Sequence, residues 1–551
     1  MRLSIYISLI VFLFQLKPAC VLAQIDKSTK EEINITSSFK PSIIKSSKIE
    51  FRPDAISRDT TKYRFSYEPV KLSFNTPMSG FTIKPLAYNA PIKEVEGDQV
   101  IAHLGYGNLK SPYGSIAYAS GKADQFFNVN ADYLSMKGAL PGQKHAIGTL
   151  GASFKKRISE NYQYKIGTRI EDFNYRTFGF DRIQFANIKE EDLKQRFTNF
   201  NVNASLYNIA GEEGKMKVNP IASFDYLTTN QNYYTVSASI GMHADFEWKK
   251  DLFFKSSPML SWMHVNAVQR SFVDDVFLLQ WPIGADMVFQ KWNIDVKAIP
   301  VYFNRNVKII PNLFVKYKLD EGKWTPKGGY LSTYEINSPF KLLMFNPFIN
   351  PQLNLISPVY EQHYLFAGVD FQSENGLSVD FQAGSTLHKN LPLFINAAPI
   401  GKDFMTIFES SLRTIDLKSN ISYILNANIS FSSVLKWTQF QRQAMYEKPF
   451  GMFPFQWELK TDWKPLEKLH LCFSSNFWTG SFANNSISTV KLKSAADLRI
   501  NVKYNLNKKW GFWLDLNNIA NIQYQRWNQY TAYGFNVLGG LRFALDKTAK
   551  R

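Results

Sequence analysis

The amino-acid sequence is poor in cysteine and in charge, and it has no long apolar run after its first two dozen residues. Only Cys20 and Cys472 occur among the 551 residues, which excludes a disulfide scaffold and a cysteine-based zinc site. Charged residues amount to 20%, less than the roughly 25% that is usual in soluble chains. Beyond residue 24 no run of 18 apolar residues exists, so the sequence predicts no transmembrane helix.

The sequence also lacks the short motifs of common catalytic and cofactor sites. It contains no HExxH, CxxC, P-loop or GxSxG pattern, and its seven histidines are not set at ligand spacing. The 64 Lys and Arg residues form no dense block, which argues against nucleic acid as a partner. We therefore expect no enzyme, no cofactor and no catalytic, cofactor-binding or metal site. The net charge of +18, about +16 without Arg2 and Lys17, leaves lipid headgroups and an anionic solute open as partners.

The first 23 residues have the layout of a cleavable secretory signal peptide. Arg2 precedes an apolar stretch over residues 3–16, and Val21-Leu22-Ala23 places suitable side chains before a cleavage site after Ala23. An uncleaved anchor is the alternative, but the stretch is shorter than the ~20 residues that span a bilayer. The sequence therefore predicts an exported protein.

Residues 24–97 form a proline-rich segment with a composition of its own. Six of the 24 prolines lie here: Pro41, Pro53, Pro69, Pro77, Pro85 and Pro91. Proline at this spacing prevents long helices and central strands. We expect an extended segment that is periplasmic or inserted into the lumen of the following domain.

From about residue 98 to residue 545, apolar and polar residues alternate with the period of two that is typical of strands. Over residues 234–249 every even-numbered side chain is apolar and seven of the eight odd-numbered neighbours are polar or charged, the other being glycine. These runs extend over 10 to 16 residues, long enough to cross a membrane as tilted strands. The fold class predicted is all-β, a transmembrane antiparallel barrel. A soluble exported sandwich or propeller is the alternative.

Length and turn signals give the size of this barrel. About 450 residues at the usual 20–25 per strand and connection predict roughly 18–22 strands. Ser373-Glu374-Asn375-Gly376 and Asn507-Lys508-Lys509 are predicted hairpin turns, and the polar stretch over residues 189–194 is a predicted extracellular loop. A barrel of that size has an aqueous or plugged lumen.

Polar side chains on the alternating strands are candidates for the lumen wall. The candidate lumen-facing residues are His243, Asp245, Glu247, Asp380, His388, Arg499 and Lys503. The two cations could attract an anion in a pore wall. Ordinary ion pairing with neighbouring carboxylates is the other interpretation of the same residues.

The end of the chain resembles a known family. Residues 513–524 are similar to the penultimate-strand region of TonB-dependent receptors, and residues 533–545 are similar to their closing strand. Within it Gly540, Phe543 and Leu545 match the assembly signal that barrel-insertion machinery reads, and residues 546–551 follow as a tail. The resemblance implies an outer-membrane barrel and uptake of a solute. No plug-like sequence precedes the barrel, and Phe39-Lys40-Pro41-Ser42-Ile43 is similar to the leader of plugless barrels of this kind.

The function predicted is the binding or passage of a solute across the outer membrane of a Gram-negative cell, as a receptor-like transporter or porin. A structural subunit of an envelope assembly or secretion complex is the alternative, and an outer-membrane enzyme a third. The expected partners are outer-membrane lipids and lipopolysaccharide, the barrel-insertion machinery, a solute and a possible periplasmic or lipoprotein partner.

Overall fold

A computed structural model of the chain describes residues 97–548, except 123, 209–215, 250, 267–274, 320–322, 351, 353–358 and 486–487. The predicted signal peptide and the proline-rich segment lie outside the described residues. Strands are nearly the only regular secondary structure in the described part. It holds one short α-helix, α1 (Pro339–Phe345), and one turn of 3-10 helix, Glu190–Leu193. No helix in it is both long and apolar enough to cross a membrane.

Thirty strand segments follow one another along the described part of the chain. The first ten are β1 (Gly97–Gly107), β2 (Tyr113–Lys122), β3 (Gln125–Lys137), β4 (Lys144–Arg157), β5 (Tyr162–Arg176), β6 (Lys194–Asn208), β7 (Lys217–Thr229), β8 (Tyr234–Lys249), β9 (Leu252–Ser256) and β10 (Met259–Asn266). The next ten are β11 (Asp275–Gln280), β12 (Ile283–Phe289), β13 (Trp292–Phe303), β14 (Asn306–Tyr317), β15 (Trp324–Ile336), β16 (Val359–Gln372), β17 (Leu377–Lys389), β18 (Leu391–Asn396), β19 (Phe404–Glu409) and β20 (Leu412–Asn426). The last ten are β21 (Ile429–Gln443), β22 (Phe455–Leu466), β23 (Leu469–Trp478), β24 (Phe482–Asn484), β25 (Thr489–Lys491), β26 (Ala495–Asn505), β27 (Trp510–Asn517), β28 (Gln525–Trp527), β29 (Tyr530–Thr531) and β30 (Asn536–Thr548).

Twenty-four of these segments form one antiparallel sheet that closes on itself, because β30 pairs with β1 along 11 residues. Two strands of the wall are each interrupted by a proline. Pro258 separates β9 from β10, and Pro282 separates β11 from β12. Each of these two couples counts as one strand, so the wall has 22 strands. Proline has no N–H to give to the ladder, which explains both breaks. The prediction of a barrel of 18–22 strands is confirmed.

The two ends of the barrel differ. One end has short turns, such as Gln290-Lys291 between β12 and β13. Both predicted hairpin turns, at residues 373–376 and 507–509, lie at this turn end. The other end, called the loop end below, has longer connections that carry α1 and three small hairpins, β18–β19, β24–β25 and β28–β29.

The alternation in sequence becomes an alternation between the two sides of the wall. Large apolar side chains such as Leu104, Ile240 and Leu365 point outward and are 61–67% exposed. This is the face that meets lipid in a transmembrane barrel, whereas the inward face is polar. On β8 the predicted division holds, because its even-numbered residues point outward and its odd-numbered residues inward.

Candidate functional site

The inward face of β8 carries three of the predicted lumen residues, His243, Asp245 and Glu247. His243 is exposed to the lumen and shares a hydrogen bond of 3.0 Å between its Nδ1 and the Ser257 hydroxyl. Asp245 lies directly opposite Lys255 of β9. The ammonium of Lys255 forms an ion pair with Asp286 of β12. These side chains form a charged band on the lumen wall.

A second group of charges crosses four neighbouring strands and includes the predicted Asp380. Lys327 of β15 is only 5% exposed in its side chain and pairs with Asp370 of β16 and, at 2.8 Å, with Asp380 of β17. Lys316 of β14 contacts the same Asp370 at 3.2 Å. One buried lysine therefore neutralises two carboxylates on separate strands.

The predicted cations Arg499 and Lys503 both lie on the inward face of β26. Arg499 donates to the Asp497 carboxylate from Nη2 at 2.5 Å and from Nε at 3.0 Å. Lys503 faces His470 of β23 and Trp513 of β27 in the ladder. The ion pair on Arg499 fits the interpretation in which lumen charges balance one another. The role of each of these residues stays a prediction.

His388 lies on the inward face of β17, as its polar pattern indicated, and it is half-buried against neighbouring side chains. Its Nδ1 is 2.5 Å from the hydroxyl of Tyr360, a residue that is 2% exposed. Its Nε2 is 3.5 Å from Thr414, whose hydroxyl donates to the buried carboxylate of Asp416 at 2.8 Å. This part of the wall lies next to the loop end, and the side chain of His388 is half-buried there.

The loops at the loop end pack into an apolar cluster, called the cap below. The cap is built from α1, the hairpin β18–β19, the loops before β22 and after β27, and inward side chains at the loop ends of the wall strands. Its most buried members include Tyr233, Phe197, Leu342, Leu343, Ile349, Leu393, Phe394 and Phe404, each less than 2% exposed. Aromatic rings stack within it, as Phe348 and Tyr530 do at 3.7 Å between centroids.

Hydrogen bonds tie loops from distant parts of the ring together within the cap. Gln195 of β6 donates to the Ile349 carbonyl at 2.5 Å, and Gln352 donates to the Gln231 carbonyl at 2.6 Å. On the other side, Gln143 donates to the Thr531 carbonyl at 2.8 Å. Connections that start from strands far apart in the wall therefore meet over the loop end.

Glu409 holds one corner of the cap. Its side chain is fully buried, and its two carboxylate oxygens accept the backbone N–H groups of Ser411, Ala444, Met445 and Tyr446 at 2.9–3.3 Å. A carboxylate bound by several backbone amides is among the stronger hydrogen-bonded arrangements in proteins. Glu409 thus fastens the loop before β22 to the end of the β18–β19 hairpin.

Arg526 of β28 lies within the cap among aromatic rings. Its guanidinium carbon is 4.1 Å from the ring centre of Trp527, 4.2 Å from that of Phe453 and 5.1 Å from that of Phe345. One donor, Nη1, binds the Gly451 carbonyl at 3.0 Å. Burial lowers the pKa of the Arg526 guanidinium to about 9, so it still carries its charge at neutral pH.

Nothing in the alternating pattern pointed to Glu409, Arg526 or the cap. A signal exists in two segments that break the alternation and are rich in rings, residues 345–348 and 449–455. Most of their aromatic residues lie outside the strands, and Phe345, Phe348 and Phe450 supply rings to the cap. Within the described residues no group of three or more His, Cys, Asp or Glu side chains is arranged to hold a metal ion.

No protein-family profile and no curated protein matches this chain. Solved structures match its fold with much lower sequence similarity. The siderophore receptor PirA of Acinetobacter baumannii is 9% identical over 82% of this chain and 80% of its own, with a TM-score of 0.62. A variant of the ferric enterobactin receptor PfeA of Pseudomonas aeruginosa, solved with enterobactin, is 9% identical over 82% of both chains with a TM-score of 0.61.

The iron transporter FrpB of Neisseria meningitidis is 8% identical over 82% of both chains, with a TM-score of 0.62. Identities this low carry information on the fold alone. These matches agree with two features of the structure. The wall is a closed barrel of 22 strands, and its two ends differ as a turn end and a loop end. The chain has the fold of a TonB-dependent receptor-like outer-membrane β-barrel.

Proposed function

We propose that this protein is an outer-membrane receptor-type transporter, which binds a solute at its loop end and passes it through the barrel. The observation that carries the proposal is the cap, a packed layer of loops over the mouth of a wide and charged lumen. A barrel of 22 strands is wide enough for a large aqueous passage. The side chains of these loops are as buried as those in the core of a soluble protein. Loops packed in this way restrict the passage until a ligand or a partner displaces them.

The lumen wall supports passage of a hydrated solute. Its charges are paired, either across strands, as in Lys327 with Asp380, or along one strand, as in Arg499 with Asp497. Paired charges keep the wall hydrated, and they do not bind any one solute tightly. The solved structures of the same fold are a siderophore receptor, a ferric enterobactin receptor and an iron transporter, and they support uptake as the class of function.

The proposed location is the outer membrane of a Gram-negative cell, with the loop end outside and the turn end in the periplasm. This follows the usual arrangement of long extracellular loops and short periplasmic turns. Phe543 and Leu545 point outward from the closing strand β30, where insertion machinery could contact them, whereas Gly540 is on its inward face. The expected partners are outer-membrane lipids and lipopolysaccharide, that machinery, a solute and a periplasmic or lipoprotein partner.

Single-channel conductance in planar bilayers tests the proposal on the purified full-length chain. We expect the wild type to be nearly silent and the variant Glu409→Ala, which loosens the cap, to show frequent openings. Glu374→Ala is the matched control, because Glu374 is an exposed carboxylate in a turn at the opposite end. Removal of residues 24–97 in both backgrounds measures the share of that segment in closure.

Three outcomes would contradict the proposal. A wild type as conductive as an open pore would show that the cap does not restrict passage. Equal behaviour of the Glu409 and Glu374 variants would remove the cap as the gate. Silence of every form, including the doubly altered one, would reject transport and favour the structural subunit of an envelope complex.

A further inference from the structure

Arg526 has no carboxylate partner among the residues that the structure describes. No Asp or Glu in the described part of the chain lies within ion-pair distance of it, and its single hydrogen bond to an acceptor is the one to the Gly451 carbonyl. An arginine side chain has five N–H donors. Placing such a cation among Trp527, Phe453 and Phe345 is unfavourable unless a negative group compensates it. The rings recover part of that free energy through cation–π attraction.

Two lysines lie close to the same place. The ammonium groups of Lys448 and Lys491 are 5.3 Å and 5.9 Å from the centre of the Phe482 ring. Phe482 is joined to the Arg526 site through Gly451, which donates its N–H to the Phe482 carbonyl at 2.8 Å and accepts from Arg526 with its own carbonyl. Three cations from the loops before β22, before β26 and before β30 are therefore linked to one another through Phe482 and Gly451.

Within the described residues, ion pairs balance this group only in part. Glu447 is 3.8 Å from Lys448 but is 71% exposed, so water screens that pair. Glu409 is buried nearby in the cap, and its oxygens are already bound by four backbone amides. The cluster of Arg526, Lys448 and Lys491, called the cationic cluster below, thus has excess positive charge beside flat aromatic surfaces.

We infer that the cationic cluster is a binding site for an anionic group, a phosphate or a carboxylate, that a ligand presents to the cap. Arg526 supplies a planar fork of donors, and the lysines supply charge that attracts the ligand. The inference deepens the proposed function and rests on it, since it makes the solute an anion. The same chemistry could come from a second source, the phosphates of lipopolysaccharide in the outer leaflet.

Titration calorimetry of the full-length protein in neutral detergent tests the site with citrate and tripolyphosphate as soluble probes. We expect wild-type binding that weakens as salt increases, because the attraction is between charges. Arg526→Gln should weaken binding by about tenfold or more, since charge-assisted hydrogen bonds are lost. Arg526→Lys keeps the charge but loses the planar fork of donors, so its affinity should lie between those of the wild type and Arg526→Gln.

Arg196→Gln is the matched control, because Arg196 also lies near the loop end but already pairs with Asp172 at 2.8 Å. It should bind as the wild type does. Heat-dependent gel mobility shows that each variant forms the barrel before binding is measured. Wild-type affinity in a folded Arg526→Gln variant, or an equal loss in the Arg196 variant, would overturn the inference.

A second arm separates the two sources of the anion. Nanodiscs with and without lipopolysaccharide are titrated with the same soluble probes. Competition by lipopolysaccharide that the Arg526→Gln change abolishes would assign the site to the lipid phosphates, whereas unchanged probe binding would assign it to a soluble anion. If anions bind through Arg526 but no form of the protein conducts, the site stands and the transport function fails. If the protein conducts but Arg526 has no effect on anions, the reverse holds.

Discussion

The indole of Trp513 on β27 lies over Gly105 on β1, with the closing strand β30 between them. A methyl group at Gly105 would come within 2.7 Å of the indole carbon Cη2 and within 2.8 Å of the Gly539 carbonyl oxygen. Trp513 also contacts Tyr113 of β2 edge to face at 5.2 Å between centroids. One side chain therefore spans the seam at which the two ends of the barrel sequence meet.

The first prediction concerns this seam. Gly105→Ala should destabilise the folded barrel by about 1–3 kcal/mol, because overpacking forces the indole or the backbone to move. Urea unfolding in detergent micelles measures the change. Gly114→Ala on the neighbouring strand is the control, since a methyl group there meets only Leu104 at 3.7 Å. Equal loss at both glycines would show that the indole is not the cause.

A companion change sharpens the same test. Adding Trp513→Ala to the Gly105 variant should restore only part of the stability, because the Gly539 carbonyl remains in the way. Full restoration would mean that the backbone gives way easily and that the indole alone limits the site.

The second prediction concerns Glu409 and the loop that it holds. Glu409→Gln should weaken the cap by about 1.5–3 kcal/mol, because the amides of residues 444–446 lose bonds to a charged acceptor. Hydrogen exchange should become faster at these amides and stay unchanged in the wall strands. Glu447→Gln, at an exposed carboxylate in the same loop, should leave the exchange as it is. Unaltered protection in the Glu409 variant would contradict the assigned role.

The third prediction concerns the predicted lumen residue Asp380. Lys327→Met should destabilise the barrel by about 2–3 kcal/mol, because it leaves Asp370 and Asp380 without their shared cation. Lys316→Met should have a smaller effect, since the Lys316 side chain is 37% exposed and Lys327 remains to neutralise Asp370. Unfolding in urea ranks the two. A larger loss at Lys316 would show that burial of the lysine is not what matters.

The fourth prediction concerns pH and Arg526. Its pKa is lowered by burial to about 9 in the folded protein, below the ordinary value of 12.5. Between these two values the unfolded chain binds more protons than the folded one, so the contribution of Arg526 to stability rises with pH. The unfolding free energy of the wild type, relative to Arg526→Gln, should therefore increase from pH 8 to pH 10.5. If the difference in unfolding free energy between the two proteins stays constant or decreases over this pH range, burial does not lower the pKa of Arg526.

Much of the barrel could be predicted because strand alternation is a local property. On β8 and β26, neighbouring residues in the sequence determine which side chains face lipid and which face the lumen. The turn at Asn375-Gly376 was equally local, and Gly376 adopts the positive φ of 81° that the turn requires. The position of Arg499 on the inward face followed from the same pattern, but its partner Asp497 did not.

The sequence by itself determined that the chain is a transmembrane barrel of roughly 18–22 strands. Its alternation also determined which side chains face the lumen and which face lipid. Only the tertiary structure decided that the loops pack into a cap, that His388 is half-buried beside Tyr360 and that Arg526 has no carboxylate partner among the described residues. These features depend on contacts between residues far apart in the chain, such as Gln195 with Ile349 and Asn396 with Asn528. A period of two residues carries no information on such contacts, because they form when closure of the ring brings distant loops together.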